Sequence, residues 1–326
     1  MPKLFNSKRL TKRNVMNTIN TLRSLLILIV LMIVATILSS NFLTPANLFN
    51  VVKQITVGAL VACGMTYVIM TGGIDLSVGS IIGLAGALAV SVLAKTDSPL
   101  LAILVALGVA LACGVINGFF VAQCRIPAFI ATLGTMTLLR GCTLLYTGGS
   151  PIPVKNEAYK FIGKGSIFGV PVLVIILLVV FIIGHYVMSK TTLGRSVYAL
   201  GGNREAARLA GIPVKRVEWI VYTISGLTSG IAAIGLTSRL ATAQSTSGEG
   251  IEMDAIAAVI LGGTSMSGGK GFVLPTIFGA IIMGIIDNLL TLMMVPAQAN
   301  KIVKGAVILT AVLIDKKVSD LSAKAD

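Results

Sequence analysis

Arg140, Asp287, Asp75, Glu252, Asp254 and Arg239 all fall within or at the edges of long apolar stretches. A charge at membrane depth costs about 2.5–3.5 kcal/mol on insertion scales, so each is a candidate for function by position alone. Asn117, Asn288 and Gln244 add amides, which can bond the hydroxyls of a neutral polyol without burying a charge. Asp75, Asn117, Arg140, Asp287 and Asn288 are therefore the expected lining of a solute path. Two structural readings compete with that role. In one, Arg140 and Asp287 are paired within the bundle; in the other, Asp75, just ahead of Leu76, caps a helix at a wet connection. The lone His185 reads as a boundary residue. No nucleophile stands with a base, which sets aside an intramembrane enzyme. Cys63, Cys113, Cys124 and Cys142 show no Cys-x-x-Cys spacing and no paired His, so they read as small core residues and no metal site is expected.

A second group of residues is suited to docking. Asn203 is placed to cap a short helix, Glu205 falls in its favourable first turn, and Ala206 to Ala210 propagate it. Gly211 followed by Pro213 ends it. Small Ala206 and Ala207 leave backbone open to close approach, while Arg204, Glu205 and Arg208 form a charged rim. Such a knob fits a cleft on another protein; the plain alternative is an ordinary connecting loop.

Two glycine-rich stretches share the pattern Gly-Gly-x-x-apolar-Ser-x-Gly: 72–79, with Gly72, Gly73 and Gly79, and 262–269, with Gly262, Gly263, Gly268 and Gly269. These glycines are expected to serve as hinges or close-packing points, and the shared pattern suggests an internal pseudo-repeat of like orientation. The second stretch fails as a phosphate-binding loop. Thr264 stands where Gly is required, and Gly271 follows Lys270 in place of Ser or Thr. Any ATP hydrolysis must come from another chain.

The elements that carry these residues are set by composition. In 326 residues, 55% are hydrophobic and 12% charged, and mean hydropathy is +0.94. That excludes a soluble globular domain, a disordered tail and a disulfide scaffold. A hydrocarbon core of about 30 Å needs roughly 20 helical residues, and ten stretches of about that length are expected as spans. They run over 22–40, 48–70, 76–94, 100–123, 127–146, 170–189, 217–239, 251–264, 272–295 and 297–314. The eighth is short, and is expected to be broken or re-entrant. No small-x-small cleavage site follows the first, so it reads as an uncleaved span.

The net charge of +14 sits in short blocks between spans, the positive-inside signal and not a nucleic-acid patch. Lys8, Arg9, Lys12 and Arg13 place the N-terminus in the cytoplasm. An even span count puts the C-terminus there too, along with Lys190, Arg195, Arg204, Arg208, Lys215 and Arg216. Lys155, Lys160, Lys164, Lys301 and Lys304 fit least well. The resulting expectation is an all-α integral membrane protein of about ten transmembrane helices. It has a basic cytoplasmic segment 1–21, a permease domain 22–315 with a cytoplasmic loop 190–216, and a cytoplasmic tail 316–326.

Glu205-Ala206-Ala207 with Gly211 resembles the EAA signature of ATP-binding-cassette importer permeases. The longer run from Gly194 to Ile212 is similar to the version in the ribose, xylose and related monosaccharide permeases. The stretches 71–80 and 254–271 are similar to segments of the same subfamily, and the resemblance extends from about Asn41 to Ile314. It implies a bacterial inner-membrane permease subunit that pairs with a second copy, a cytoplasmic ATP-binding-cassette subunit and a periplasmic sugar-binding protein. ATP and Mg would bind the partner ATPase, with no cofactor on this chain. Gly194, Asn203, Arg204, Glu205, Ala206, Ala207, Arg208 and Gly211 would form the coupling helix region that receives ATP-driven motion. A ribose-like pentose is the expected cargo, with hexoses and a furanosyl signalling molecule as alternatives. The competing function class is an ion-coupled secondary transporter of small polar solutes, for which Asp287 would be the main mid-span carboxylate.

Overall fold

A computed structural model describes residues 24–325. The basic segment 1–21 lies outside the described residues. The chain is built from helices α1 (Ser24–Leu38), α2 (Pro45–Met70), α3 (Val78–Thr96), α4 (Pro99–Ala122), α5 (Ala128–Thr147) and α6 (Glu157–Lys164). After these come α7 (Val172–Lys190), α8 (Thr192–Gly202), α9 (Arg204–Leu209), α10 (Val214–Leu240), α11 (Ile251–Leu261), α12 (Thr276–Leu292) and α13 (Ala297–Ala325). Two antiparallel pairs of two-residue strands complete it, β1 (Ile152–Pro153) with β4 (Thr242–Ala243) and β2 (Ser166–Ile167) with β3 (Val170–Pro171). Among the described residues, α2, α3, α4, α5, α7 and α10 are long and apolar enough to cross a membrane, and α1 and α12 are shorter apolar helices. This is an all-α membrane protein.

Local chemistry sets the helix starts. Thr44 and Ser98 accept backbone N–H bonds from Asn47 and Leu101 at 3.4 Å, and Pro45 and Pro99 follow in the first turn, where a missing N–H costs nothing. The expected eighth span is the short one. With 11 residues α11 is about 16 Å long, half of a hydrocarbon core, and irregular backbone flanks it on both sides. Such backbone is tolerated at membrane depth only where protein covers it.

α10 is the axis of the bundle and packs on α4, α2 and α3. Its seam with α4 runs along small residues four apart, Ala102, Ala106, Ala110, Gly114 and Gly118: Gly118 faces Trp219, Gly114 faces Tyr222 and Gly226, and Ala106 and Ala110 face Gly230. A Cβ on Gly114 would lie 2.6 Å from the Tyr222 carbonyl oxygen, and one on Gly226 2.5 Å from that of Ala110. Close backbone approach of this kind holds helices together where lipid removes the hydrophobic drive. Ala59 to Met70 of α2 are buried without a break. Leu104, Leu138 and Ile182, on α4, α5 and α7, point outward as apolar faces.

The cysteines divide. Cys63 and Cys113 are buried as expected, but Cys124 and Cys142 are exposed, because they lie at the end of α4 and on the outer face of α5.

α10 spans 27 residues, about 40 Å, and so defines two ends. One carries α8 and α9. The other carries α6 and the β1–β4 pair. At this second end Asn156 caps α6, and a 2.7 Å hydrogen bond from Lys160 draws the Glu157 carboxyl below its ordinary value.

Candidate coupling site

Two short helices follow α7, where the sequence suggested only the second. Thr191 caps α8, and Gly194 lies so close to the backbone of Met188 that no side chain fits between. α8 ends at Gly202. Asn203 then turns extended, and its Oδ1 accepts the Ala206 N–H at 2.9 Å, as its expected capping role requires. Gly211, at φ +80°, closes α9 with a Schellman motif: its N–H donates to the Arg208 carbonyl at 3.0 Å, and Ile212 N–H to that of Ala207 at 3.1 Å.

α9 is a knob. Only Ala207 is buried; Glu205, Ala206 and Arg208 are exposed, and Leu209 is 78% exposed. Glu205 and Arg208 pair on its surface at 3.0 Å. Arg204 is not part of a free rim. Its guanidinium grips Glu218 of α10 through two bonds, one of them from Nη2 to Oε2 at 3.0 Å, and Glu218 is buried. Glu218 escaped the sequence reading because its partner lies across a turn, off any helical spacing.

The glycine stretches meet beside this knob. Gly201 of α8 leaves room for the Met70 carbonyl and the Gly269 amide, and Gly269 N–H donates to that same carbonyl at 3.0 Å. Gly268, at φ +79°, lies against Gly72 and Gly201. The C-terminus of α2, the segment after α11 and the C-terminus of α8 thus join backbone to backbone. Tyr198 adds a hydrogen bond to the Gly271 carbonyl at 2.7 Å. Elsewhere Gly79 abuts Gly248, and a Cβ on Gly262 would lie 2.8 Å from the Pro275 carbonyl oxygen.

α2 and α11 end alike, in Schellman motifs with Gly72 (φ +81°) and Gly263 (φ +89°) at the left-handed position. In the sequence pattern Gly72 matched Gly262. The structural equivalence is one residue further on, because the left-handed residue, not the first glycine of a pair, fixes the cap.

The expected path residues form separate clusters. Asp75 is fully buried, not at a wet connection. Its Oδ1 accepts Ser77 N–H at 3.0 Å and Ser77 Oγ–H at 2.6 Å, Oδ2 accepts Ser225 Oγ–H at 2.8 Å, and Asn117 donates to Ser77 Oγ at 2.7 Å. Arg140 and Asp287 do not pair with each other. Arg140 donates to the carbonyls of Ser245 and Ser247 at 2.6 and 3.0 Å, whereas Asp287 shares Lys304 with Asp254 at 3.0 and 2.8 Å. Asn288 exchanges bonds with Asn47 at 2.8 and 3.0 Å. Each of these groups bonds to a segment distant in the chain. A cleft of about 1430 Å³ opens at the α9 end, lined by Gly72, Gly73, Arg204, Glu218, Trp219 and Tyr222 among others. A smaller cavity of about 150 Å³ is lined by Asp254, Asp287 and Arg239.

The family model described as branched-chain amino acid transport system / permease component matches residues 47–312. The chain belongs to that permease family. The permease is 48% identical to the ribose import permease protein RbsC of Escherichia coli (strain K12), over 87% of this chain and 90% of that one. It is 44% identical to the ribose import permease protein RbsC of Bacillus subtilis (strain 168), over 88% and 90%. It is also 36% identical to the L-arabinose transport system permease protein AraH of Escherichia coli (strain K12), over 87% of each. No solved structure matches the permease. With several apolar helices of spanning length, it is a multi-pass protein of the bacterial inner membrane.

Proposed function

We propose that this permease is the membrane-spanning subunit of an ATP-binding-cassette importer that carries a ribose-like pentose inward. The observation that carries the reading is α9: a capped, exposed knob tied by Arg204 to the central helix α10 and lying beside a glycine junction. Ribose is preferred over arabinose because the ribose permeases are the more similar, at 48% against 36% identity.

In this reading α1 to α5, α7 and α10 to α13 make ten crossings, with α11 a half-span, and both termini are cytoplasmic. The supporting argument is that α9 and Lys190, Arg195, Arg204, Arg208, Lys215 and Arg216 gather at one end, as the positive-inside rule requires. The matching Schellman ends of α2 and α11 support a pseudo-repeat. Residues 22–315 form the permease domain and 190–216 its cytoplasmic loop. Two copies enclose the path. A cytoplasmic ATPase, which binds ATP and Mg, docks on α9, and a periplasmic sugar-binding protein delivers the cargo to the opposite end. This chain brings no ATPase motif of its own.

The test is uptake of D-ribose by proteoliposomes that hold the permease, its ATPase and its binding protein. Uptake is expected only with ATP and all three components. Uptake driven by a proton or sodium gradient without the ATPase would replace this reading with the secondary-transporter one.

A further inference from the structure

Glu218, Tyr222 and Ser225 lie at i, i+4 and i+7 of α10, on one face of the helix and over about 10 Å of its axis. All three are buried, and each reaches a different neighbour. Glu218 takes both arms of Arg204 from α9. The Tyr222 hydroxyl sits where a Cβ on Gly73 would be 2.5 Å away. Ser225 donates to Asp75, whose other donors come from Ser77, and Asn117 of α4 closes the chain.

We propose that this face of α10 is the transmission element between α9 and the 71–77 segment that leads into α3. The proposal rests on the coupling reading above and names positioning residues that reading did not contain. A buried carboxylate stripped of its partner is costly, so α9 cannot leave α10 without exposing Glu218 uncompensated; the two move together. In the same way α10 cannot shift past Asp75 without removing the donor that Ser225 supplies. Tyr222 marks where the movement goes. Its buried hydroxyl has no hydrogen-bond partner here, and an orphaned polar group of this kind calls for an explanation. Next to the Gly73 backbone, it gains that partner when the 71–77 segment shifts, which gives the element two arrangements and not one.

The experiment measures ribose carried per ATP hydrolysed, in proteoliposomes of the full complex with D-ribose as probe. Glu218→Gln and Tyr222→Phe are expected to lower that ratio about fivefold or more, the range of ordinary allosteric coupling, while the ATPase stays bound. The charge-swapped pair R204E/E218R should recover to within about twofold of the parent. Ser225→Ala, which removes one hydroxyl, carries the same expectation should Glu218→Gln not insert. An unchanged ratio in the single variants, or a swapped pair no better than Glu218→Gln alone, overturns the proposal. Leu209→Asp on the exposed face of α9 separates it from the coupling reading. ATPase retained on Leu209→Asp overturns that reading, whereas ATPase lost there, with an unchanged ratio in Glu218→Gln, overturns the transmission face alone.

Discussion

Beside α9, three segments meet where side chains are absent; around the start of α11, segments are joined by side chains that extend. Gly201, Gly268 and Gly269 let three chain segments touch at the backbone, with the Met70 carbonyl at the centre. Near α11, Lys304 reaches from α13 to both Asp254 and Asp287, Lys301 reaches Glu249 at 3.4 Å, and Arg140 holds two carbonyls of the segment before α11. A backbone contact has no slack, so displacement of one segment displaces the others. Lys304, placed between two carboxylates, can exchange one for the other as its helix moves, a freedom that Arg204, held by both oxygens of the single buried Glu218, lacks. Under the proposed coupling role, the glycine junction would transmit a push on α9 and the Lys304 cluster would yield to it.

The largest effect is expected at the glycine junction. Gly201→Val would drive a branched side chain into the Met70 carbonyl and the Gly269 amide, both backbone. A loss of about 4 kcal/mol or failure to insert should follow, read as folded yield and thermal inactivation in detergent. Lys304→Met comes next, at about 3 kcal/mol, because it leaves two carboxylates facing each other in a mostly buried site. Adding Asp254→Asn and Asp287→Asn to that variant should restore most of the loss. Should Lys304→Met cost more than Gly201→Val, the contrast between the two regions is reversed. The smallest effect is a gain. Met294 closes α12 in the left-handed region at φ +54°, with the same hydrogen bonds that Gly72 and Gly263 make for α2 and α11. Met294→Gly should raise stability by about 1 kcal/mol, seen as a higher inactivation temperature.

What the sequence disclosed follows the range of each interaction. Spans and caps are local: hydropathy over about 20 residues found the apolar helices, and Asn203 with Gly211 announced α9 because their bonds reach only three to five residues along the chain. The partners of the expected path residues were hidden for the opposite reason. Asp75 and Ser225 are 150 residues apart, and Asn47 and Asn288 are 241 apart, so their pairing could not be seen before folding. The seam between α4 and α10 is an intermediate case. Ala102, Ala106, Ala110, Gly114 and Gly118 recur every fourth residue, a signal that hydropathy conceals because all five are merely small. α8 went unread because Gly194, Gly201 and Gly202 argue against a helix until their packing on Met188 and Gly269 is known.

The account stands or falls on where α9 goes. A single cysteine at Leu209, in a chain freed of Cys63, Cys113, Cys124 and Cys142, should cross-link to the ATPase subunit in the assembled importer, with a yield that changes when ATP binds. A cysteine there that never reaches the ATPase, or that is labelled by a membrane-impermeant reagent from the periplasmic face, would contradict the account.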